Sequence, residues 1–160
     1  MADRSLSDPK PPRASVRPGN ERRYDDDRCS MVLELRTPQL LVTRVRGDAR
    51  EAMVDYYLRE FLAFASLATH RIDVFHDWAE VASFEPGARQ TFMRWGDERR
   101  EVNKRLIRQV HILAGSTMVF LALGAARVVY AAQLEVYRLR ESWDAALRDA
   151  EQLPSRDAVH

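Results

Sequence analysis

The stretch LIRQVHILAGSTMVFLALGAARVVYAAQLEVY, from Leu106 to Tyr137, holds three successive patterns. Leu106 to Ala114 is apolar and rich in β-branched residues, which predicts a buried strand. Gly115-Ser116 turns the chain, and Ser116 suits a helix N-cap. Val119, Ala122, Leu123 and Ala126 then recur at helical spacing, and Leu134 to Tyr137 alternates as a strand. A strand, a helix and a second strand form a right-handed crossover between strands of one sheet. The apolar run from Ile112 to Ala126 is broken by Gly115, Ser116, Thr117 and Gly124. A bilayer span needs about 20 mostly apolar residues, so this run reads as strand plus helix.

Upstream, Pro86 is placed to open a helix, where its missing N–H costs nothing. Ala88, Phe92 and Trp95 continue it, with Val102 extending the face, to an end near Asn103. Arg71 to His76 reads as a strand and Asp77 to Glu85 as a loop. Val54, Tyr57, Leu58, Phe61, Leu62 and Ala65 form one helical face running to Thr69. Asp48 and Glu51 have the spacing of a capping box before it. Met31 to Arg36 and Leu40 to Arg46 predict an antiparallel hairpin across Thr37-Pro38, with Gly47 ending the second strand. Downstream, Trp143, Ala146, Leu147 and Ala150 mark a last helix, stopped by Pro154.

The predicted order is β-β-α-β-α-β-α-β-α, an α/β fold with a mixed sheet and helices packed on it. One domain is expected over residues 29–152. Residues 1–28, rich in Pro, Ser, Arg and Asp, read as a disordered arm, and 153–160 as a frayed tail.

The charge is balanced, with 25 basic and 24 acidic residues, so no global field draws the chain to nucleic acid. The first ten residues lack the apolar core of a signal peptide. Cys29 is the only cysteine, which suits a reducing compartment, and a cytoplasmic location is expected.

The element order, the stretch Leu106–Tyr137 and the segment HDWAEVASFEPGARQTFMRW together resemble the STAS domain, the fold of bacterial anti-sigma factor antagonists. The likeness is nearest to the divergent STAS-like branch also compared with lipid-binding Sec14 domains. In phospho-switched STAS proteins an Asp-Ser pair opens the helix after the third strand, and phosphorylation of that serine releases the partner. Setting Val81 on the family's loop valine places Glu85-Pro86 on that pair. Pro86 has no hydroxyl, so the resemblance implies a partner-binding surface without the switch. Its residues are Val81, Ser83, Glu85, Pro86 and Arg89. Ser83 itself reads as an ordinary loop or capping serine.

No nucleophile elbow, P-loop or dinucleotide-binding glycine pattern is present. Cys29 has no histidine near it in sequence. His76 and His111 lie in or beside strands and, with Asp77 or Glu80, are the one combination worth testing for zinc; their spacing is not that of a metal site. Asp77, Glu80 and Glu85 read as a solvated acidic loop. Tyr56 and Phe64 fall off the main helical stripe and are candidates for an exposed patch, toward a partner or a homodimer. The run Arg94, Arg99, Arg100, Lys104, Arg105 and Arg108 is interleaved with Asp97, Glu98 and Glu101 and reads as a solvated helix face.

These readings point to a non-catalytic regulatory module that binds an unknown partner protein, with no metal and no cofactor. The alternative is a small-molecule or lipid-binding carrier of Sec14-like type.

Overall fold

A computed structural model describes residues 21–68, 70–115 and 133–153. The strands are β1 (Glu21–Asp25), β2 (Cys29–Thr37), β3 (Leu40–Ala49), β4 (Ile72–Phe84), β5 (Ile107–Ala114) and β6 (Gln133–Tyr137). The described helices are α1 (Glu51–Leu67), α2 (Pro86–Glu98), α3 (Arg100–Leu106) and α4 (Arg140–Gln152). All six strands form one sheet in chain order. β1, β2 and β3 pair antiparallel, and β3 through β6 pair parallel. The mixed α/β class predicted from the sequence is the one observed.

Each parallel crossover steps to the next strand in the same direction, so right-handed connections place α1 and α2–α3 on one face. Beneath them lies the larger core, including Met31, Leu33, Leu41, Val74, Phe61 and Trp95. α4 covers the opposite face. There Trp143 and Leu147 bury against Leu40, Val42, Phe75 and Leu113. Side chains alternate along a strand, so the central strand β4 serves both cores. His76 meets Tyr57 of α1, while Phe75 meets Trp143 of α4.

Several local expectations are corrected. Residues 21–28 are part of the sheet and its first turn. β1 pairs with β2 from Glu21↔Glu34 to Asp25↔Ser30. Asp26 closes the turn, its Oδ1 accepting from the N–H groups of Arg28 and Cys29, each at 2.8 Å. The run Glu21–Asp25 is charged, but Tyr24 is buried and one apolar anchor suffices for an edge strand. Gly47 lies within β3, at φ +80, where a Cβ would stand 2.1 Å from the Arg28 carbonyl oxygen. The segment Asp77 to Phe84 continues β4, because its backbone pairs with β3 through Ala49↔Phe84. Asp48 is in β3 and caps nothing; α1 starts after Arg50 with no side-chain cap. The helix from Pro86 breaks at Arg99 and resumes as α3, which includes Leu106. Val102 points out, 42% exposed, and Asn103 is the buried residue there. The predicted helix after Ser116, the arm over residues 1–20 and the tail from Pro154 lie outside the described residues.

Candidate interaction site at the start of α2

The ends of β3 and β4 lie side by side, and each leads straight into a helix. The Glu85 N–H donates to the Ala49 carbonyl at 2.9 Å, which ties the two junctions together. Glu85 is the N-cap residue of α2 and Pro86 takes the first turn. Arg50, the residue before α1, reaches Glu85 at 3.4 Å, Asp27 at 3.2 Å and Asp26 at 3.7 Å. One guanidinium thus links the β1–β2 turn, the β3–α1 junction and the β4–α2 junction. Burial raises the Asp26 carboxyl, but its backbone donors outweigh that and hold it below the usual carboxylate range.

The five site residues separate by burial. Pro86 and Arg89 are exposed and Glu85 is half-buried. Val81 is buried in the larger core, where it supports the surface without belonging to it. Ser83 lies in β4 opposite Asp48, and its hydroxyl donates to Asp48 Oδ1 at 2.7 Å. It is a strand residue, not a loop or capping serine. Behind the site, a Cβ on Gly87 would stand 2.9 Å from Glu51 Oε2, so α1 and α2 approach closely there. Thr91 donates to Glu51 at 3.1 Å across the same contact.

His76 and His111 do not come together. Phe75, not His76, is the register partner of His111, so the two histidines occupy opposite faces of the sheet. His76 is fully buried, its Nδ1 2.5 Å from Thr43 Oγ1, and burial pushes its pKa down to about 3. It borders a small cavity of about 30 Å³ shared with Met31, Tyr57, Trp78 and Phe92. His111 stacks on Phe75 at 4.0 Å, and its Nδ1 lies 2.9 Å from the Tyr137 hydroxyl. Among the described residues no three His, Cys, Asp or Glu side chains gather as a metal site.

The acidic loop is also dispersed. Asp77 is buried beneath α4 and accepts from Arg140 and Arg44, whereas Glu80 is exposed and pairs with Arg46. Burial and the adjacent Asp26 push the Cys29 thiol up to about 12, far from a reactive thiolate. Tyr56 and Phe64 are not an exposed patch. Tyr56 packs on Tyr24 of β1 at 5.5 Å, and Arg22 of β1 lies over the Phe64 ring. In the basic run, Arg108 is drawn to buried Asp73, while Arg100 and Lys104 pair with Asp97 and Glu101.

Sequence reasoning missed Arg50 as the organiser of the site. Its one available signal was position, directly before a helix and after a strand. The Asp77–Arg140 pair was missed because 63 residues separate its members.

No family model and no curated protein matches the chain. Among solved structures it is similar to an uncharacterised DUF3478-family protein from Shewanella loihica with a SpoIIAA-like fold. The TM-score is 0.51 at 12% identity, covering 78% of this chain and 97% of that one. The fold is therefore a mixed α/β sheet of the SpoIIAA-like, or STAS-like, class. Among the described residues, no helix is long and apolar enough to cross a membrane.

Proposed function

We propose that this domain is a non-catalytic regulatory module that docks a partner protein on the surface where α2 begins. The observation that carries this reading is the Arg50 tie between three chain segments, which supports an outward-facing platform of Glu85, Pro86 and Arg89. In open α/β sheets, ligands meet the protein beyond the carboxyl ends of the parallel strands, which is where this platform stands. It is a charged surface, with Pro86 and Arg89 exposed and Glu85 half-buried. That suits a macromolecular partner.

Regulation in this reading is not a phosphoserine switch at the family position, since Pro86 stands there. Ser83 is a poor substitute, because a phosphate on its hydroxyl would face the Asp48 carboxylate. The carrier alternative needs a pocket on the order of 300 Å³ or more enclosed by the fold. The cavity beside His76 is an order of magnitude smaller, and the roomier clefts beside α1 are open grooves at the surface. A reducing, cytoplasmic setting accords with the single buried Cys29.

The test is affinity purification from the native organism with wild type and with Glu85→Arg/Arg89→Glu. The expected result is a partner recovered with wild type and lost with the double variant. Equal recovery with both would count against this surface.

A further inference from the structure

A groove runs along the outer side of α1, between it and α2–α3. One lobe of about 440 Å³ is floored by Leu58, Leu62 and Trp95. A second lobe of about 410 Å³ is floored by Leu62, Ala65, Val102 and Leu106. Leu62 belongs to both, so the lobes adjoin. Along α1 the lining extends from Asp55 to Ala68, a length of about 20 Å at 1.5 Å per residue. That matches about 13 residues of another helix.

The rim is biased in charge. Arg94, Arg99 and Arg105 line the groove against Asp55 and Glu98, while Arg59, also on the rim, is paired with Glu60 at 3.8 Å. Arg94 and Arg99 have no ion-pair partner among the described residues. The nearby cations Arg100 and Lys104 are already held by Asp97 and Glu101, so those two acids do not neutralise the rim. Val102, 42% exposed, leaves an apolar side chain in the lower lobe uncovered.

We propose that this groove docks an acidic amphipathic helix of a partner protein. An apolar floor selects apolar residues at i, i+3 or i+4, and i+7, and the arginine rim selects carboxylates on the flanks. The other occupants fit less well. Residues 1–20 carry Arg4, Lys10, Arg13 and Arg17 against Asp3 and Asp8, so the rim repels them. In a symmetric contact a second copy would bring the same arginines against this rim, and α4 turns its apolar face inward through Trp143 and Leu147. The surface is separate from the Glu85–Arg89 platform, and the proposal does not depend on that reading.

The experiment is selection of displayed random 16-residue peptides on the full chain, followed by fluorescence anisotropy of the enriched sequences. The expected peptides are rich in Asp and Glu, with apolar residues at helical spacing. Their affinity falls at least 10-fold in Arg94→Glu/Arg105→Glu and in Val102→Asp, weakens as salt is raised, and is unchanged in Glu85→Arg/Arg89→Glu. The altered side chains are exposed, and matching circular-dichroism melts confirm folding. Enrichment of basic or uncharged peptides, or affinity retained in both groove variants, would overturn the proposal. So would tighter capture of phosphatidylserine vesicles lost in the same variants, which would make the groove a membrane surface. A wild-type dimer in sedimentation that Arg94→Glu/Arg105→Glu dissolves would instead make it a self-contact.

Discussion

Arg140, the first residue of α4, donates from both terminal guanidinium nitrogens to the Asp77 carboxylate, at 2.6 and 3.1 Å. Asp77 is only 2% exposed, and Arg44 and the Ala79 N–H supply further donors. Burial alone would raise its carboxyl pKa, but Arg140 and these donors keep it below the usual range. α4 is thus fixed to the sheet by a charge pair at its first turn and by Trp143 one turn later.

Removing the cation leaves a buried carboxylate with fewer donors. Arg140→Ala is expected to destabilise the fold by about 1–3 kcal/mol, below the full loss for a fully buried pair because Arg140 is half-exposed. Urea unfolding measures it, and Arg148→Ala, an exposed change on the same helix, should stay within about 0.5 kcal/mol of wild type. Equal effects for the two would remove the role assigned to the pair.

Acid sensitivity should begin well above the carboxylate range. His76 stays neutral in the folded state down to about pH 3, whereas the unfolded chain protonates it near 6.5. Between those values the unfolded state binds the extra proton. Stability is therefore complete above about pH 6.5 and falls by about 1.4 kcal/mol per pH unit on acidification. His111, also lowered by burial, adds in the same direction. Asp77 and Asp26 have lowered values, so their contributions persist to lower pH and vanish only as it drops through their folded pKa. The His76→Gln variant should show a shallower slope from pH 6.5 to 4 in denaturant titrations. An unchanged slope would mean that His76 is solvated.

The β1 strand predicts a sharp boundary for truncation. A chain starting at Glu21 should keep its melting behaviour. One starting at Cys29 uncovers Tyr56 and Phe64 and loses the Tyr24 contact. Burial of a large aromatic is worth about 3–5 kcal/mol when truncated to Ala, so Tyr24→Ala alone should lower stability by a comparable amount. Indistinguishable melts for the two truncations would contradict the pairing of β1 with β2.

The sequence was most readable where one face of an element is apolar. The α1 stripe from Val54 to Ala65 follows from periodicity, and the strand expected over Leu106–Ala114, observed from Ile107, follows from its run of apolar and β-branched residues. β1 was hidden because its residues are charged and a single tyrosine anchors it. The second half of β4 was hidden because Asp77 and Glu80 look like loop residues. Their partners, Arg140 and Arg46, come from elsewhere in the chain, and only the fold brings them together. At the candidate site, Glu85 and Pro86 were legible as a helix start. The Arg50 tie was not, because it joins Asp26, Asp27 and Glu85 through tertiary contact. For the same reason Tyr56 and Phe64 read as an exposed patch, whereas β1 covers them through Tyr24 and Arg22.

The central claim is that a partner protein contacts the chain at the start of α2. Site-specific photo-crosslinking in the native cell tests it most directly. A photoreactive residue is placed at Pro86 or Arg89, both exposed, and a control at exposed Asp149 of α4. A discrete crosslinked species at 86 and 89, absent at 149, is the result this account predicts. Crosslinks at 149 alone, or none at 86 and 89 while the protein is folded and abundant, would contradict it.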